Sequence, residues 1–198
     1  MNPIGRSKPA TVVIFGASGD LTHRKLVPAL HTLACRELLS PHTHVIGVAR
    51  SDYSDQEFRD HLYDGIVDYS RAASGPHEIC KRWSEYAQNY SYLAGDLGDL
   101  ETYRQLGDRL ASLGSGSDEP EGQAGSNVLF YMAVPPTLYT MIVDRLGKAG
   151  LNGSEDGWRR VIVEKPFGHD LESACELNGQ LHAVFEEDQI YRIDHYLG

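Results

Sequence analysis

The stretch TVVIFGASGDL, residues 11–21, decides the fold of this 198-residue chain. Its first five residues are apolar or β-branched and predict a buried strand, and Gly16 and Gly19 predict a tight turn that leads into a helix. A glycine turn lets backbone N–H groups approach an anion, and the helix start behind it adds unpaired donors and the positive end of a dipole. The stretch therefore predicts a site for the phosphates of a nucleotide.

The spacing of the glycines leaves an alternative open. The turn reads Gly-x-x-Gly, without the central glycine of the G-x-G-x-x-G fingerprint, and Thr22 stands where the last glycine would fall. A glycine turn can also join a buried strand to a helix without binding any ligand. The turn by itself therefore does not decide between the two interpretations.

Strands and helices alternate along the rest of the chain. Apolar runs predict further strands at residues 44–50, 90–94, 127–134, 160–165 and 189–194. Helical periodicity predicts helices at residues 21–39, 54–74, 77–88, 97–110, 135–146 and 171–185. Near-continuous apolar strands that alternate with helices are typical of parallel sheets covered on both faces. The sequence therefore predicts an α/β fold, Rossmann-like and doubly wound, with a mostly parallel sheet.

Two segments, around Pro28 and at residues 112–126, interrupt the regular alternation of strands and helices. Pro28 lies within the first helical stripe, and it either kinks the helix or begins its regular part, with residues 21–27 as a looser first turn. The sequence does not decide between these. Residues 112–126 are rich in glycine, serine and acidic side chains, which predicts an exposed surface loop within one domain.

Composition excludes several classes of function. The formal net charge of −10 disfavours nucleic acids and anionic membranes as partners, so the cations of a phosphate site have to be local. No apolar stretch reaches the roughly 18 residues of a membrane span, and the first residues lack the apolar segment of a secretion signal. Cys35, Cys80 and Cys175 are odd in number and far apart, which predicts free thiols in a reducing compartment. We therefore expect a cytoplasmic protein.

Polar residues follow several of the predicted strands. In doubly wound sheets ligands bind beyond the carboxyl ends of the strands. The sequence EKPFG, residues 164–168, and the sequence RIDHYLG, residues 192–198, place a cation, a carboxylate, an imidazole and a phenol there, which suits a phosphorylated polar substrate. His42 and His44 have no third ligand nearby, so we expect no metal site. The residues at the strand ends are Ser18, Asp20, Arg50, Pro135, Lys165 and Asp194.

The end of the second strand bears on the choice of cofactor. A carboxylate at this position accepts a hydrogen bond from the ribose 2′-OH of NAD and would repel the 2′-phosphate of NADP. Here the strand ends in Arg50 and Ser51, and a guanidinium binds phosphate oxygens with two parallel hydrogen bonds. Asp52, two residues on, is the counter-argument. The pattern favours NADP.

At these positions the chain resembles glucose-6-phosphate dehydrogenases of the NADP-dependent, eukaryotic type. In that family the Gly-x-x-Gly-Asp-Leu turn is the rule. The resemblance rests on motifs in the family's order along almost the whole chain, namely GASGDL (16–21), VARS (48–51), FY (130–131), PPTLY (135–139), GW (157–158), EKPFG (164–168) and DQIYRIDHYLG (188–198).

The resemblance implies roles for individual residues. Lys165 would contact both the nicotinamide half of the cofactor and the sugar near its reacting carbon. His195 and Tyr196 would bind the 6-phosphate of the substrate, and Asp194 would orient the catalytic histidine. The implied NADP site consists of Gly16, Ala17, Ser18, Gly19, Asp20 and Leu21 at the phosphates, Arg50 and Ser51 at the 2′-phosphate, and Tyr139 with Lys165 at the nicotinamide.

The resemblance also implies a larger enzyme. Residues 1–198 would form the NADP-binding domain, and a second, larger α+β domain for substrate binding and dimerisation, with the general-base histidine, would be absent from the chain. The full enzyme would oxidise glucose 6-phosphate at C1 to 6-phosphoglucono-1,5-lactone as a homo-oligomer, a dimer or a tetramer. The 198-residue chain would bind nucleotide without appreciable turnover. Two alternatives stay open, another NADP-dependent sugar-phosphate dehydrogenase and a non-catalytic dinucleotide-binding module.

Overall fold

The computed structural model describes residues 5–74, 83–114 and 125–194. Six strands form one sheet in the order β3-β2-β1-β4-β5-β6, and all five pairings among them are parallel. The order reverses between β1 and β4, as it does in dinucleotide-binding sheets. The strands are β1 Thr11–Phe15, β2 His44–Ala49, β3 Tyr90–Ala94, β4 Val128–Met132, β5 Arg159–Glu164 and β6 Ile190–Ile193.

Helices cover both faces of this sheet because consecutive parallel strands need a crossover. Along β1 the side chain of Ile14 packs into one core, while Val13 and Phe15 pack into the other. Helices α1, α2 and α3 contribute to the first core, and α4, α5 and α6 contribute to the second. They are α1 Val27–Cys35, α2 Asp55–Ser74, α3 Trp83–Ala87, α4 Leu100–Gly114, α5 Tyr139–Lys148 and α6 Leu171–His182.

The expected doubly wound α/β fold is thus confirmed, and the sheet is parallel throughout the described residues. The expected helix at 77–88 is described only from Trp83 to Ala87, because residues 75–82 lie outside the described residues. In the expected loop at 112–126, helix α4 continues to Gly114, and residues 115–124 lie outside the described part of the chain.

Pro28 begins the regular part of its helix. Residues Thr22–Leu26 form a π-helical turn in which the N–H of Val27 donates to the carbonyl of Thr22, five residues back. Proline has no N–H to donate, and it is accommodated near the start of α1, directly after the wider π-helical turn. The second of the two sequence alternatives is therefore correct.

The expectation of three free thiols is wrong for Cys35. This cysteine is disulfide-bonded, while Cys175 is free and exposed. Spacing along the sequence does not report how close two cysteines lie in the fold, and that distance decides whether they can pair. The cysteine argument for a reducing compartment therefore no longer holds.

No helix in the described ranges is both long enough and apolar enough to cross a membrane.

Candidate dinucleotide site

A cleft of about 440 Å³ lies where the strand order reverses, beyond the carboxyl ends of β1, β2 and β4. This is the position at which doubly wound sheets bind their ligands. The cleft is lined by Gly16, Ser18, Gly19, Ala49, Arg50, Ser51, Asp96, Leu97, Ala133, Val134, Pro135, Leu138 and Met141.

The glycine turn is built around Gly16, whose φ of +82° is strained for any residue with a side chain. A Cβ at this position would stand 2.3 Å from the carbonyl oxygen of Ala133 and 2.8 Å from Cγ1 of Val134. The absence of a side chain therefore lets the turn after β1 approach the end of β4 closely. The N–H of Gly19 donates to the Gly16 carbonyl at 2.9 Å and closes the turn.

Thr22 takes part in the same turn. Its side chain is fully buried, and its hydroxyl donates to the carbonyl of Gly16 at 3.4 Å. The residue that departs from the glycine fingerprint therefore ties the first turn of the helix back to the start of the glycine turn. A glycine at this position could not make this contact.

Arg50 and Ser51 extend the cleft at the end of β2. Arg50 is exposed, and within the described parts of the chain it makes no ion pair. The hydroxyl of Ser51 donates to the hydroxyl of Ser18 at 3.0 Å, which joins the end of β2 to the glycine turn. Asp52 is not among the residues that line the cleft. The cleft lining therefore includes the guanidinium of Arg50 and the hydroxyls of Ser18 and Ser51, but not the carboxylate of Asp52.

Five predicted cofactor residues lie outside the cleft lining, namely Ala17, Asp20, Leu21, Tyr139 and Lys165. Ala17 is fully buried in the core, and Asp20 is exposed, 3.4 Å from the guanidinium of Arg24. Leu21 precedes the π-helical turn, at its start. Tyr139 is buried at the start of α5, and its hydroxyl donates to the carbonyl of Glu164 at 3.3 Å. Burial raises the pKa of Tyr139.

Lys165 and Asp194 lie further along the same edge of the sheet, at the ends of β5 and β6. The ammonium group of Lys165 donates to the Asp194 carboxylate at 2.5 Å, and both side chains are about half exposed. The Lys165–Pro166 peptide bond is cis. On the preceding strand, the hydroxyl of Tyr131 donates to the carboxylate of Glu164, just before the lysine. The structure thus joins the two predicted catalytic residues into one ion pair.

Some residues of the cleft were missed by the sequence reasoning. Asp96 follows the end of β3, and its carboxylate accepts the N–H of Gly98 at 2.7 Å. A polar residue directly after a strand is the signal that could have identified it. The remaining ones are apolar and carry no signal of their own, namely Ala49, Leu97, Ala133, Val134, Leu138 and Met141.

Two predicted substrate residues, His195 and Tyr196, lie outside the described residues. Within the described ranges, no three histidine, cysteine or acidic side chains are grouped so that they could hold a metal ion.

Residues 13–198 match the family model described as glucose-6-phosphate dehydrogenase, NAD binding domain. The chain belongs to this family. It is 42% identical over 193 residues to glucose-6-phosphate 1-dehydrogenase of Aggregatibacter actinomycetemcomitans, a match that covers 98% of this chain and 37% of the relative. It is 38% identical over 200 residues to glucose-6-phosphate 1-dehydrogenase 5, cytoplasmic, of Arabidopsis thaliana, a match that covers 100% of this chain and 37% of the relative.

A solved structure of a glucose-6-phosphate dehydrogenase in complex with its substrate glucose 6-phosphate has the same fold. The TM-score is 0.81 at 35% sequence identity, and the match covers 97% of this chain and 37% of that chain. The chain thus spans 37% of the length of these relatives. The family model describes an NAD binding domain, which supports the first of the two interpretations of the Gly-x-x-Gly turn, a dinucleotide site.

Proposed function

We propose that this domain binds NADP and serves an enzyme that oxidises glucose 6-phosphate at C1 to 6-phosphoglucono-1,5-lactone, with formation of NADPH. The observation that carries the proposal is the guanidinium of Arg50, which makes no ion pair with the described residues and lies beside Ser51 and Ser18 in the cleft, while Asp52 is not part of the cleft lining. A guanidinium with adjacent hydroxyls suits a phosphate dianion. The names of the relatives support the substrate and the reaction.

The cleft residues fit a dinucleotide. The glycine turn brings backbone N–H groups and the helix start to one end, where a pyrophosphate would be held. Leu97, Leu138 and Met141 supply apolar surface that a planar ring can cover. Asp96 is the one carboxylate of this lining, and the N–H of Gly98 already donates to it. In this proposal the 2′-phosphate lies against Arg50, away from the pyrophosphate.

The substrate would lie towards Lys165 and Asp194. The lysine ammonium, held by the aspartate, would donate to a sugar oxygen near C1 and align the reacting carbon. Bound NADP would supply the hydride acceptor. We assign the general base to a histidine of a second domain beyond the 198 residues, with Asp194 orienting it, and the 6-phosphate to His195 and Tyr196.

The proposal also covers the cellular location of the protein and the oligomeric state of the complete enzyme. We place the protein in the cytoplasm, since one relative is named as a cytoplasmic form. We also propose that the complete enzyme is a homo-oligomer whose contacts are made by the second domain. Its ligands are small molecules, because the net charge of −10 disfavours nucleic acid and anionic membranes.

The experiment that tests the cofactor proposal compares Arg50→Ala with Arg104→Ala. Arg104 is exposed on α4 and pairs with Glu101, outside the cleft lining. Calorimetric titration should show that Arg50→Ala weakens NADP binding about ten- to a hundredfold and NAD binding far less, since a charge-assisted contact is lost only with NADP. Arg104→Ala should change neither affinity. Equal weakening of both cofactors by Arg50→Ala would overturn the proposal.

A second experiment tests the substrate. The complete enzyme, supplied in turn with different sugar phosphates, should reduce NADP fastest with glucose 6-phosphate. A clear preference for another sugar phosphate would favour the related dehydrogenase class, and the absence of any reduction would favour a binding module without catalysis.

A further inference from the structure

Tyr92 lies on β3 next to the serines that line the cleft. Its side chain is 2% exposed, and its ring packs against Phe58 and Tyr53, with centroid distances of 4.8 and 5.4 Å. The backbone N–H of Tyr92 donates to the carboxylate of Asp55 at 2.7 Å, which holds β3 against the start of α2. The ring is therefore held from several directions, and its hydroxyl has a defined position.

The hydroxyl of Tyr92 is buried, and none of the described residues meets the geometry of a hydrogen bond with it. Ser18, Ser51 and Asp52 are its polar neighbours; burial raises the pKa of Tyr92, the two serine hydroxyls oppose this rise, and the Asp52 carboxylate adds to it. Buried hydroxyls nearly always have a partner, because leaving one unpaired is unfavourable. An unpaired hydroxyl beside a ligand cleft therefore points to a partner gained when the ligand is bound.

The two serines explain how such a partner arises. In the structure the hydroxyl of Ser51 donates to Ser18 at 3.0 Å, so this hydrogen is directed at the other serine and not into the cleft. Each serine hydroxyl has a single hydrogen to donate but can accept two hydrogen bonds. Ser51 can donate to a phosphate only when it gives up its bond to Ser18. The Ser18 oxygen then loses that donor, and the Tyr92 hydroxyl, its buried polar neighbour, can replace it.

We propose that Tyr92 is a positioning residue for the 2′-phosphate of NADP, donating its O–H to a serine oxygen from behind and directing the hydroxyls of Ser18 and Ser51 into the cleft. The inference rests on the proposed function, since it needs a phosphate beside Arg50. No covalent bond is broken and no proton is transferred in this rearrangement. The only change is which acceptor each hydroxyl faces.

Tyr92→Phe tests the proposal because it keeps the ring and its packing and removes only the hydroxyl. Calorimetric titration of the purified protein should show NADP affinity about three- to tenfold lower, the effect of one neutral hydrogen bond, with NAD affinity changed less than about twofold. Tyr86→Phe is the matched control, since the buried Tyr86 hydroxyl donates to the carbonyl of Ala34 at 2.9 Å on the same side of the sheet. This control should lower stability without changing the ratio of the two affinities.

A double substitution tests the route through the serines. If Tyr92 acts through the Ser18 oxygen, then Ser18→Ala alone should weaken NADP binding, and adding Tyr92→Phe should weaken it by less than Tyr92→Phe does in the unmodified protein. Strict additivity of the two effects would overturn the inference, because it would mean that Tyr92 acts independently of the serine.

The outcomes separate this inference from the proposed function. If the unmodified protein binds NADP no more tightly than NAD, the proposed function is wrong and the inference with it. If the unmodified protein prefers NADP and Tyr92→Phe keeps the whole preference, only the inference is overturned. Equal weakening of both cofactors by Tyr92→Phe would assign the hydroxyl a structural role and would also overturn it.

Discussion

Replacing Gly16 by alanine should disrupt the turn on which the cleft depends. Two effects add at this position. The φ of +82° disfavours any residue with a Cβ by roughly 1–2 kcal/mol. The new methyl group would also stand 2.3 Å from the carbonyl oxygen of Ala133, a backbone atom that cannot turn aside as a side chain can. Overpacking of this kind costs about 1–3 kcal/mol.

Two other glycines separate these effects. Gly150 has a φ of +69° but nothing within 4 Å of a built Cβ, so Gly150→Ala reports the backbone strain alone. Gly153 has neither a positive φ nor a neighbour within 4 Å. Alanine restricts the unfolded chain and so stabilises an unstrained site by about 0.4–1 kcal/mol. We expect losses of roughly 2–4 kcal/mol for Gly16→Ala and about 1 kcal/mol for Gly150→Ala, and a small gain for Gly153→Ala.

Urea unfolding of the three variants measures these differences, with the midpoint and slope fitted together. Titration with NADP adds a second measurement. Gly16→Ala should also weaken nucleotide binding, because the turn and the end of β4 have to separate, whereas the other two variants should bind as the unmodified protein does. A loss of stability for Gly16→Ala no larger than that for Gly150→Ala would refute the close approach of the turn to Ala133.

Two further predictions concern pH and catalysis. Burial lowers the pKa of His31, His44 and His61 below the unfolded value of 6.5, so the unfolded chain binds more protons and the free energy of unfolding should fall as the pH drops through 6.5. Urea midpoints between pH 7.5 and 5.5 should show this fall, and a flat profile would contradict it. Lys165→Ala should strongly lower turnover of the complete enzyme while its circular dichroism spectrum stays unchanged, and near-normal turnover would remove Lys165 from the catalytic residues.

The fold could be predicted because local pattern and global topology agree in this chain. The apolar run at β1 is buried on both faces of the sheet, and the run at β4 alternates between buried and half-buried side chains. Apolar strands of this kind can be recognised in the sequence as strands of a covered parallel sheet. Pro28 shows the limit of this reasoning. Proline removes one backbone hydrogen bond of the helix. Whether the helix then kinks or forms a π-helical turn depends on its packing, which the sequence does not show.

Site residues could be predicted where their type and their position after a strand indicate the function. They could not be predicted where the function depends on contacts between residues distant in sequence. Arg50, Ser51 and Ser18 follow strand ends, so the rule for parallel sheets finds them. The role proposed for the Tyr92 hydroxyl could not be predicted from its position. A tyrosine within a strand is interpreted as a core residue until its neighbours across the sheet are known. The disulfide of Cys35 could not be predicted either, because pairing depends on the distance between two cysteines in the fold.

The central claim is that the cleft between the glycine turn and the end of β2 holds NADP through its 2′-phosphate. A crystal structure of the protein grown with NADP tests this most directly. The account predicts 2′-phosphate oxygens about 2.7–2.9 Å from the guanidinium nitrogens of Arg50, within reach of Ser51, with the pyrophosphate at the turn between Gly16 and Gly19. A cofactor bound with its 2′-phosphate in solvent, or bound away from this cleft, would contradict it.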